Sequence, residues 1–152
     1  MAPNEKGMIM MACAEKFGAG AVRNMLRHNR REIEHSSNHD IDPKRLERDY
    51  ILSPDRGMTE YDYFLQRKSE LYCYNRNDVK VMVGWIVTAP QDLDPERYDN
   101  FFYATYNFLA NRYGEENVVQ AIVHDDEGGQ PHLHFCFVPV VEDPKHEQGY
   151  KI

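Results

Sequence analysis

The sequence has few cysteines and no long apolar run. Its 152 residues contain three cysteines, Cys13, Cys73 and Cys136, without the paired Cys-x-x-Cys spacing of intracellular structural zinc sites. No apolar stretch approaches the roughly 20 residues of a membrane-spanning helix, and the N-terminus lacks the basic-then-apolar order of a secretory signal. A chain that is 41% apolar and 28% charged fits a globular protein. We therefore expect one domain over residues 1–152, located in the cytoplasm.

Basic residues are scarce in the C-terminal part of the chain. Residues 91–152 carry 4 basic and 12 acidic residues, whereas residues 1–90 carry 14 and 13. Within the first part, four arginines follow one another without an acidic residue between them, and they share an arc of a predicted helix: Arg23, Arg27, Arg30 and Arg31. Because guanidinium groups pair with phosphate oxygens, this arc predicts a phosphate-contacting face. The alternative is an ordinary solvated surface.

Apolar periodicity predicts alternating strands and helices. Strands are expected at 8–14, 50–52, 79–89, 117–123 and 135–141, and helices from about 21 to 34, 59 to 72 and 95 to 109, with no element in a polar tail over 142–152. The last two strands are joined by a short turn and must pair antiparallel. The expected fold is therefore α+β, with a largely antiparallel central β-sheet and flanking helices.

The segment from His124 to His134 carries the strongest chemical signal. In a strand, His132 and His134 project from the same face, and a hairpin turning at Gly128 and Gly129 brings His124 opposite them. Three imidazoles with further positions open to substrate or water predict a catalytic metal site rather than a closed structural one. The alternative is a His/His/Cys zinc site that includes Cys136.

This segment is one of several motifs that resemble the V-class plasmid mobilisation relaxases, the Pre/Mob family of HUH endonucleases. The metal motif corresponds to His124-x-Asp126-Glu127 followed by Pro131-His132-x-His134, and His28-Asn29-Arg30-Arg31 resembles the family's His-Asn-x-Arg motif. The stretch from Asn38 to Leu52 resembles a further signature, so the resemblance covers about residues 9–141. The chain departs from the pattern in a turn one residue longer before Pro131 and in Asp49, where the family usually has Asn.

The resemblance implies an enzyme that nicks and rejoins one DNA strand at a plasmid origin of transfer. The reaction would be a metal-assisted transesterification with a covalent 5′-phosphate intermediate. The implied cofactor is Mn²⁺ or Mg²⁺ held by the three histidines, and imidazole ligands favour Mn²⁺. The implied partners are single-stranded or hairpin DNA at that origin and other relaxosome proteins. Because family members usually continue further, a C-terminal region would be missing here.

The resemblance also implies roles for individual residues. The nucleophile is expected to be His28, with Tyr50 as its rival, and Arg31 would hold the scissile phosphate or the leaving oxygen. Glu127 would orient His28 or accept its proton, and Asp126 would support the metal ligands. The expected DNA contacts are Arg23, Arg27, Arg30, Arg45 and Arg48.

Two other functions stay open from the sequence. One is a replication initiator or transposase of the same HUH group, which would nick a different DNA. The other is a non-catalytic DNA-binding protein whose metal is structural.

Overall fold

A computed structural model describes residues 12–32, 49–125, 129–145 and 150–152. Three α-helices and seven strands lie within these residues. In chain order they are β1 (Ala12–Gly18), α1 (Ala19–Asn29), β2 (Tyr50–Ile51), α2 (Glu60–Ser69), β3 (Lys80–Thr88), α3 (Tyr98–Tyr113), β4 (Val118–His124), β5 (His132–Phe137), β6 (Val141–Glu142) and β7 (Tyr150–Lys151). Among the described helices, none is both long and apolar enough to cross a membrane.

Five strands form one sheet in the order β1-β3-β5-β4-β2. Every neighbouring pair in it is antiparallel, so the predicted α+β fold with an antiparallel central sheet is confirmed. The predicted hairpin is the β4–β5 pair, which lies inside the sheet between β3 and β2. Both of its strands are therefore supported from two sides.

The helices cover both faces of the sheet. α3 packs on one face against buried apolar side chains that include Ala121, Val123, Leu133, Phe135 and Phe137. α1 and α2 lie over the other face, where Val22, Leu26 and Phe64 pack against Met82 and Cys136. Since successive strand residues alternate between faces, β4 and β5 contribute to both layers.

Local sequence signals account for the bounds of α2 and α3. The Thr59 hydroxyl accepts a hydrogen bond from the Asp62 backbone N–H at 3.1 Å and caps α2. Pro95 opens a 3₁₀ turn that leads into α3, and Gly114 ends α3 with a φ of +92°, a conformation that glycine adopts at low cost.

The first helix ends earlier than the periodicity predicts, which makes part of the prediction wrong. α1 stops at Asn29 instead of continuing to about residue 34, because Arg31 takes a left-handed conformation with φ +59°. Arg30 and Arg31 therefore leave the helix, and only Arg23 and Arg27 remain on it. The predicted four-arginine helical face is not formed.

Two further expectations differ from the structure. The first strand runs to Gly18, four residues past its predicted end, while its predicted part over 8–11 lies outside the described residues. The polar tail contains elements after all, since β7 pairs with β6. Its last residue also donates a backbone hydrogen bond to the Tyr72 carbonyl at 3.0 Å. The contact with Tyr72 joins segments 80 residues apart in the chain, and strands of two residues such as β6 and β7 are too short to show a period.

Candidate metal centre and nucleophile

Three histidines converge on the sheet face below α1. His124 stands directly opposite His132 in the β4–β5 pairing, and His134 lies two pairs further along, opposite Ile122. One ligand nitrogen from each ring falls within 4.8 Å of the other two. The ring centroids of His124 and His134 are 4.4 Å apart, and those of His132 and His134 are 4.9 Å apart. The predicted convergence is confirmed despite the longer turn, because the strand register controls it.

A backbone carbonyl fixes the orientation of the buried His124 ring. Its Nε2 donates to the Asn29 carbonyl oxygen at 2.7 Å, and the residue is only 1% exposed. A proton held on Nε2 leaves the lone pair on Nδ1, the form in which imidazole binds a metal. The last residue of α1 therefore sets the tautomer of one candidate ligand.

The His134 imidazole is held neutral by its surroundings. Burial lowers the pKa of His134 well below its ordinary value, and the nearby His124 and His132 rings, Arg31 and His28 lower this pKa further. A neutral imidazole is the form that coordinates metals.

The donor set fits a divalent cation, and its partners are the three imidazoles. Cys136 lies on the same face, as expected, yet burial raises the pKa of its thiol to about 12. A protonated thiol is a poor ligand, and within the described residues the group able to hold a metal consists of His124, His132 and His134. The His/His/Cys alternative is therefore disfavoured. Three nitrogen donors with open positions suit Mn²⁺ better than Mg²⁺, which prefers oxygen.

His28 lies beside this cluster although it is far away in the chain. It occupies the last turn of α1 and is half-buried. Together with His134 it lines a cavity of about 200 Å³, whose other walls include Phe17, Met25 and Cys136. The structure thus joins the predicted nucleophile and a predicted metal ligand in one cavity.

Arg31 is the second residue of the N-terminal motif to reach the site. Its side chain is only 10% exposed, and its Nε lies 3.9 Å from an Asp49 carboxylate oxygen. The other Asp49 oxygen accepts from the Asp125 backbone N–H at 2.8 Å, next to His124. A non-glycine residue at positive φ carries backbone strain. The left-handed conformation turns Arg31 back towards the cluster instead of along the helix.

Tyr50 lies on the other face of the sheet. It pairs with Val123 in β2–β4, so its side chain shares the face of Val123, and its hydroxyl donates to Asp99 of α3 at 2.8 Å. Burial and the Asp99 carboxylate raise the pKa of Tyr50 well above its ordinary value. The hydroxyl is therefore protonated and directed away from the histidines.

The arginines predicted to contact DNA differ in their exposure and in their partners. Arg23 and Arg27 are exposed on α1. Arg30 forms an ion pair with Glu60 at 2.8 Å. Arg45, Arg48, Asp126 and Glu127 lie outside the described residues.

The structure adds supporting residues that sequence reasoning missed. Asn29, Gln120 and Glu60 form a polar cluster under α1, with Asn29 donating to Gln120 at 2.9 Å and Gln120 donating to Glu60 at 3.0 Å. One feature of the sequence pointed to this polar cluster, since Gln120 interrupts the apolar run Val118–Val123. A buried amide in such a run needs partners, but the sequence did not reveal them.

An antiparallel sheet that presents a His-x-His pair on one strand and a third histidine on its neighbour has the arrangement of the HUH endonuclease class. The sequence model of the plasmid recombination enzymes, Mob_Pre, matches residues 7–150. The chain belongs to this family, which confirms the resemblance to V-class mobilisation relaxases.

Individual relatives agree with this assignment. Plasmid recombination enzymes from Streptococcus agalactiae and, as type 1, from Staphylococcus aureus are each 34% identical to this chain, covering 86% and 88% of it. The matches cover 28% and 35% of the relatives, so the chain spans about a third of their length.

A solved structure shows the same likeness in three dimensions. The MobM relaxase domain (MOBV), Mn-bound and in complex with plasmid pMV158 oriT DNA, aligns with a TM-score of 0.72 at 34% identity. The alignment covers 84% of this chain and 69% of that domain.

Proposed function

We propose that the chain is a metal-dependent relaxase domain that nicks and rejoins one DNA strand at a plasmid origin of transfer. The observation that carries this proposal is that His28 lines one cavity with His134, a member of the three-histidine cluster. The related MobM domain binds oriT DNA and manganese, which supports the same substrate and cofactor here. The DNA would be single-stranded or folded into a hairpin.

His28 would act as the nucleophile. The lone pair of one ring nitrogen attacks the scissile phosphorus, the bond from phosphorus to the 3′ oxygen breaks, and its electron pair stays on that oxygen. The strand with the 5′-phosphate is then joined to His28. The proton lost from the other ring nitrogen balances the proton that the leaving oxygen takes up as a free 3′-OH. Rejoining reverses these steps.

The surrounding residues have distinct tasks in this scheme. His124, His132 and His134 would hold Mn²⁺, which when bound polarises the phosphate and offsets charge developing on its oxygens. Arg31, restrained by Asp49, supplies a fixed positive charge for the phosphate. Glu127 as the group that orients His28 or takes its proton, and Asp126 as support for the ligands, stay predictions.

Tyr50 is disfavoured as the nucleophile. An attacking tyrosine would need to reach a phosphate at the metal, whereas its hydroxyl is bonded to Asp99 on the α3 face. Deprotonation is also opposed by the raised pKa of Tyr50.

DNA beyond the scissile phosphate would lie along α1. Arg23 and Arg27 are exposed on the helix that carries His28, so they can contact the backbone near the site. Roles for Arg45 and Arg48, contacts with other relaxosome proteins and a cytoplasmic location remain predictions. The last of these is supported by bacterial relatives named as plasmid recombination enzymes.

The test is a search for the covalent intermediate. The protein is incubated with Mn²⁺ and a single-stranded oligonucleotide that carries a transfer-origin hairpin, and the adduct is mapped by mass spectrometry. We expect attachment at His28, loss of the adduct in His28→Ala, and retention in Tyr50→Phe. A replication-origin oligonucleotide is the matched control for a replication initiator. Failure to form any adduct, while the protein binds the oligonucleotide, would leave a non-catalytic DNA-binding protein and overturn the proposal.

A further inference from the structure

Gln120 is a buried amide below the end of α1. It lies on β4, four residues before His124, and is fully shielded from solvent. Its Oε1 accepts from the Asn29 side-chain Nδ2 at 2.9 Å. Its Nε2 donates to the Leu26 carbonyl at 3.1 Å and to Glu60 Oε1 at 3.0 Å. One acceptor and two donors are therefore used by three different partners.

Glu60 determines which way the Gln120 amide points. The same Glu60 oxygen accepts from Arg30 Nε at 2.8 Å, so a carboxylate on α2 faces the amide. A flipped amide would place its oxygen against this carboxylate and against the Leu26 carbonyl, and three acceptors would meet without a proton between them. The orientation that directs Oε1 to Asn29 is thus imposed by charge.

Two of the three partners of Gln120 lie at the end of the helix that carries the proposed nucleophile. Leu26 and Asn29 belong to the last turn of α1 and flank His28. The Leu26 carbonyl accepts from the Arg30 backbone N–H at 3.1 Å, and Gln120 donates a second hydrogen bond to it. The Asn29 carbonyl in turn accepts from His124 Nε2. The Gln120 side chain therefore contacts the end of α1, which carries His28 and also the carbonyl that sets the tautomer of His124.

We propose that Gln120 is a positioning residue that holds His28 and the Asn29 carbonyl in register with the metal-binding histidines. The hydrogen bonds of its side chain go to Asn29, Leu26 and Glu60, and it acts through Asn29. The catalytic part of this inference rests on the proposed relaxase function, while the effect on metal binding does not. Groups that orient metal ligands typically contribute roughly 10–100-fold to metal affinity or activity.

The first experiment replaces Gln120 with a side chain of similar length that lacks the amide, Gln120→Met. Mn²⁺ affinity is measured without DNA by electron paramagnetic resonance, and nicking is measured under steady-state conditions. We expect the Mn²⁺ Kd to rise about tenfold and kcat to fall by a similar factor. KM for the oligonucleotide should stay constant, because Arg23 and Arg27 remain in place.

The matched control is Asn117→Ala. Asn117 is another buried amide, next to the start of β4, and its side chain bonds to Tyr113 and Arg67 far from the histidines. This variant should lose stability but keep the Mn²⁺ Kd and kcat. Equal losses in Gln120→Met and Asn117→Ala, or a folded Gln120→Met with unchanged Kd and kcat, would overturn the proposal.

A second variant keeps the proposal testable if Gln120→Met does not fold. Asn29→Ala removes the amide that Gln120 holds and retains the backbone carbonyl, so we expect the Mn²⁺ Kd to rise by less than in Gln120→Met. Where both variants fold, the double variant should be no worse than Gln120→Met. An Asn29→Ala protein with unchanged Mn²⁺ affinity, or additive effects in the double variant, would contradict the proposed route. If the unmodified protein does not nick, the proposed function fails, yet these metal measurements still decide the role of Gln120.

Discussion

The two faces of the central sheet are built by the same strands but have different chemistry. On the α3 face, β4 and β5 present apolar side chains such as Val123, Leu133 and Phe135, all about 1% exposed or less. On the α1 face, neighbouring positions in the same strands present His124 and His134. Alternation of side chains thus places a dry core directly behind a polar site. A rigid core of this kind holds ligands in place at little entropic cost.

Two adjacent residues of β5 face opposite sides of the sheet, and the largest effect on nicking is expected for His134→Ala. Removing one of three imidazoles should abolish tight Mn²⁺ binding and reduce nicking at least about a thousandfold, since metal assistance supplies several kcal/mol. Nicking is measured with a labelled oligonucleotide, and circular dichroism checks the fold. A variant that retains more than a tenth of the activity would show that His134 is not a ligand.

Phe135→Ala, one residue later, is expected to lower the stability of the protein and to leave Mn²⁺ binding nearly unchanged. Its ring is fully buried against Tyr106 of α3, so its loss should lower the free energy of unfolding by about 3–5 kcal/mol. Denaturant titration measures this change. Mn²⁺ affinity of the protein that remains folded should be nearly unchanged. A specific loss of metal binding without loss of stability would mean that the two faces are not separable.

Acid should destabilise the metal-free protein through the histidine face. The pKa of His134 is lowered in the folded state, whereas an unfolded histidine titrates near about 6.5. Below that pH the unfolded chain binds a proton that the folded chain excludes, so stability falls with decreasing pH by up to about 1.4 kcal/mol per unit from this group. Unfolding measured between about pH 7 and 5 tests this. His134→Gln should flatten the slope, and an unaltered slope would rule out His134 as its source.

The smallest effect is expected for Tyr50→Phe on the α3 face. This change removes the hydrogen bond to Asp99 and should lower the free energy of unfolding by about 0.5–1.5 kcal/mol. Thermal denaturation of the variant, with Asp99→Asn as its control, measures the loss. Nicking should be unchanged, and a strong loss of nicking in a stable Tyr50→Phe protein would restore tyrosine as a candidate nucleophile.

The hairpin and its histidines were predictable because their geometry is local. His124 and His132 are joined by a short turn, and pairing in register is sufficient to bring them opposite each other. The added turn residue does not disturb this pairing, since loops absorb insertions. The Thr59 cap and the end of α3 at Gly114 depend on similarly local signals.

The end of α1 was not predictable in the same way. Apolar spacing continues past Asn29, but Asn29 bonds to Gln120, which is 91 residues further on, and Arg31 turns back towards Asp49. The sequence showed that Asp49 departs from the family pattern, but the ion pair with Arg31 became visible only in the folded chain. The hydrogen bond from the Ile152 backbone N–H to the Tyr72 carbonyl is a similar case.

By itself, the sequence determined the three candidate ligand histidines, their spacing and the alternation that puts them on one sheet face. These properties depend on residue type and on backbone periods of a few residues. Only the tertiary structure decided that His28 meets His134, that Tyr50 faces away, and that Gln120 joins α1 to the ligand strand. Such contacts arise from packing between distant segments, whose free energy depends on the whole fold and leaves no local pattern in the chain.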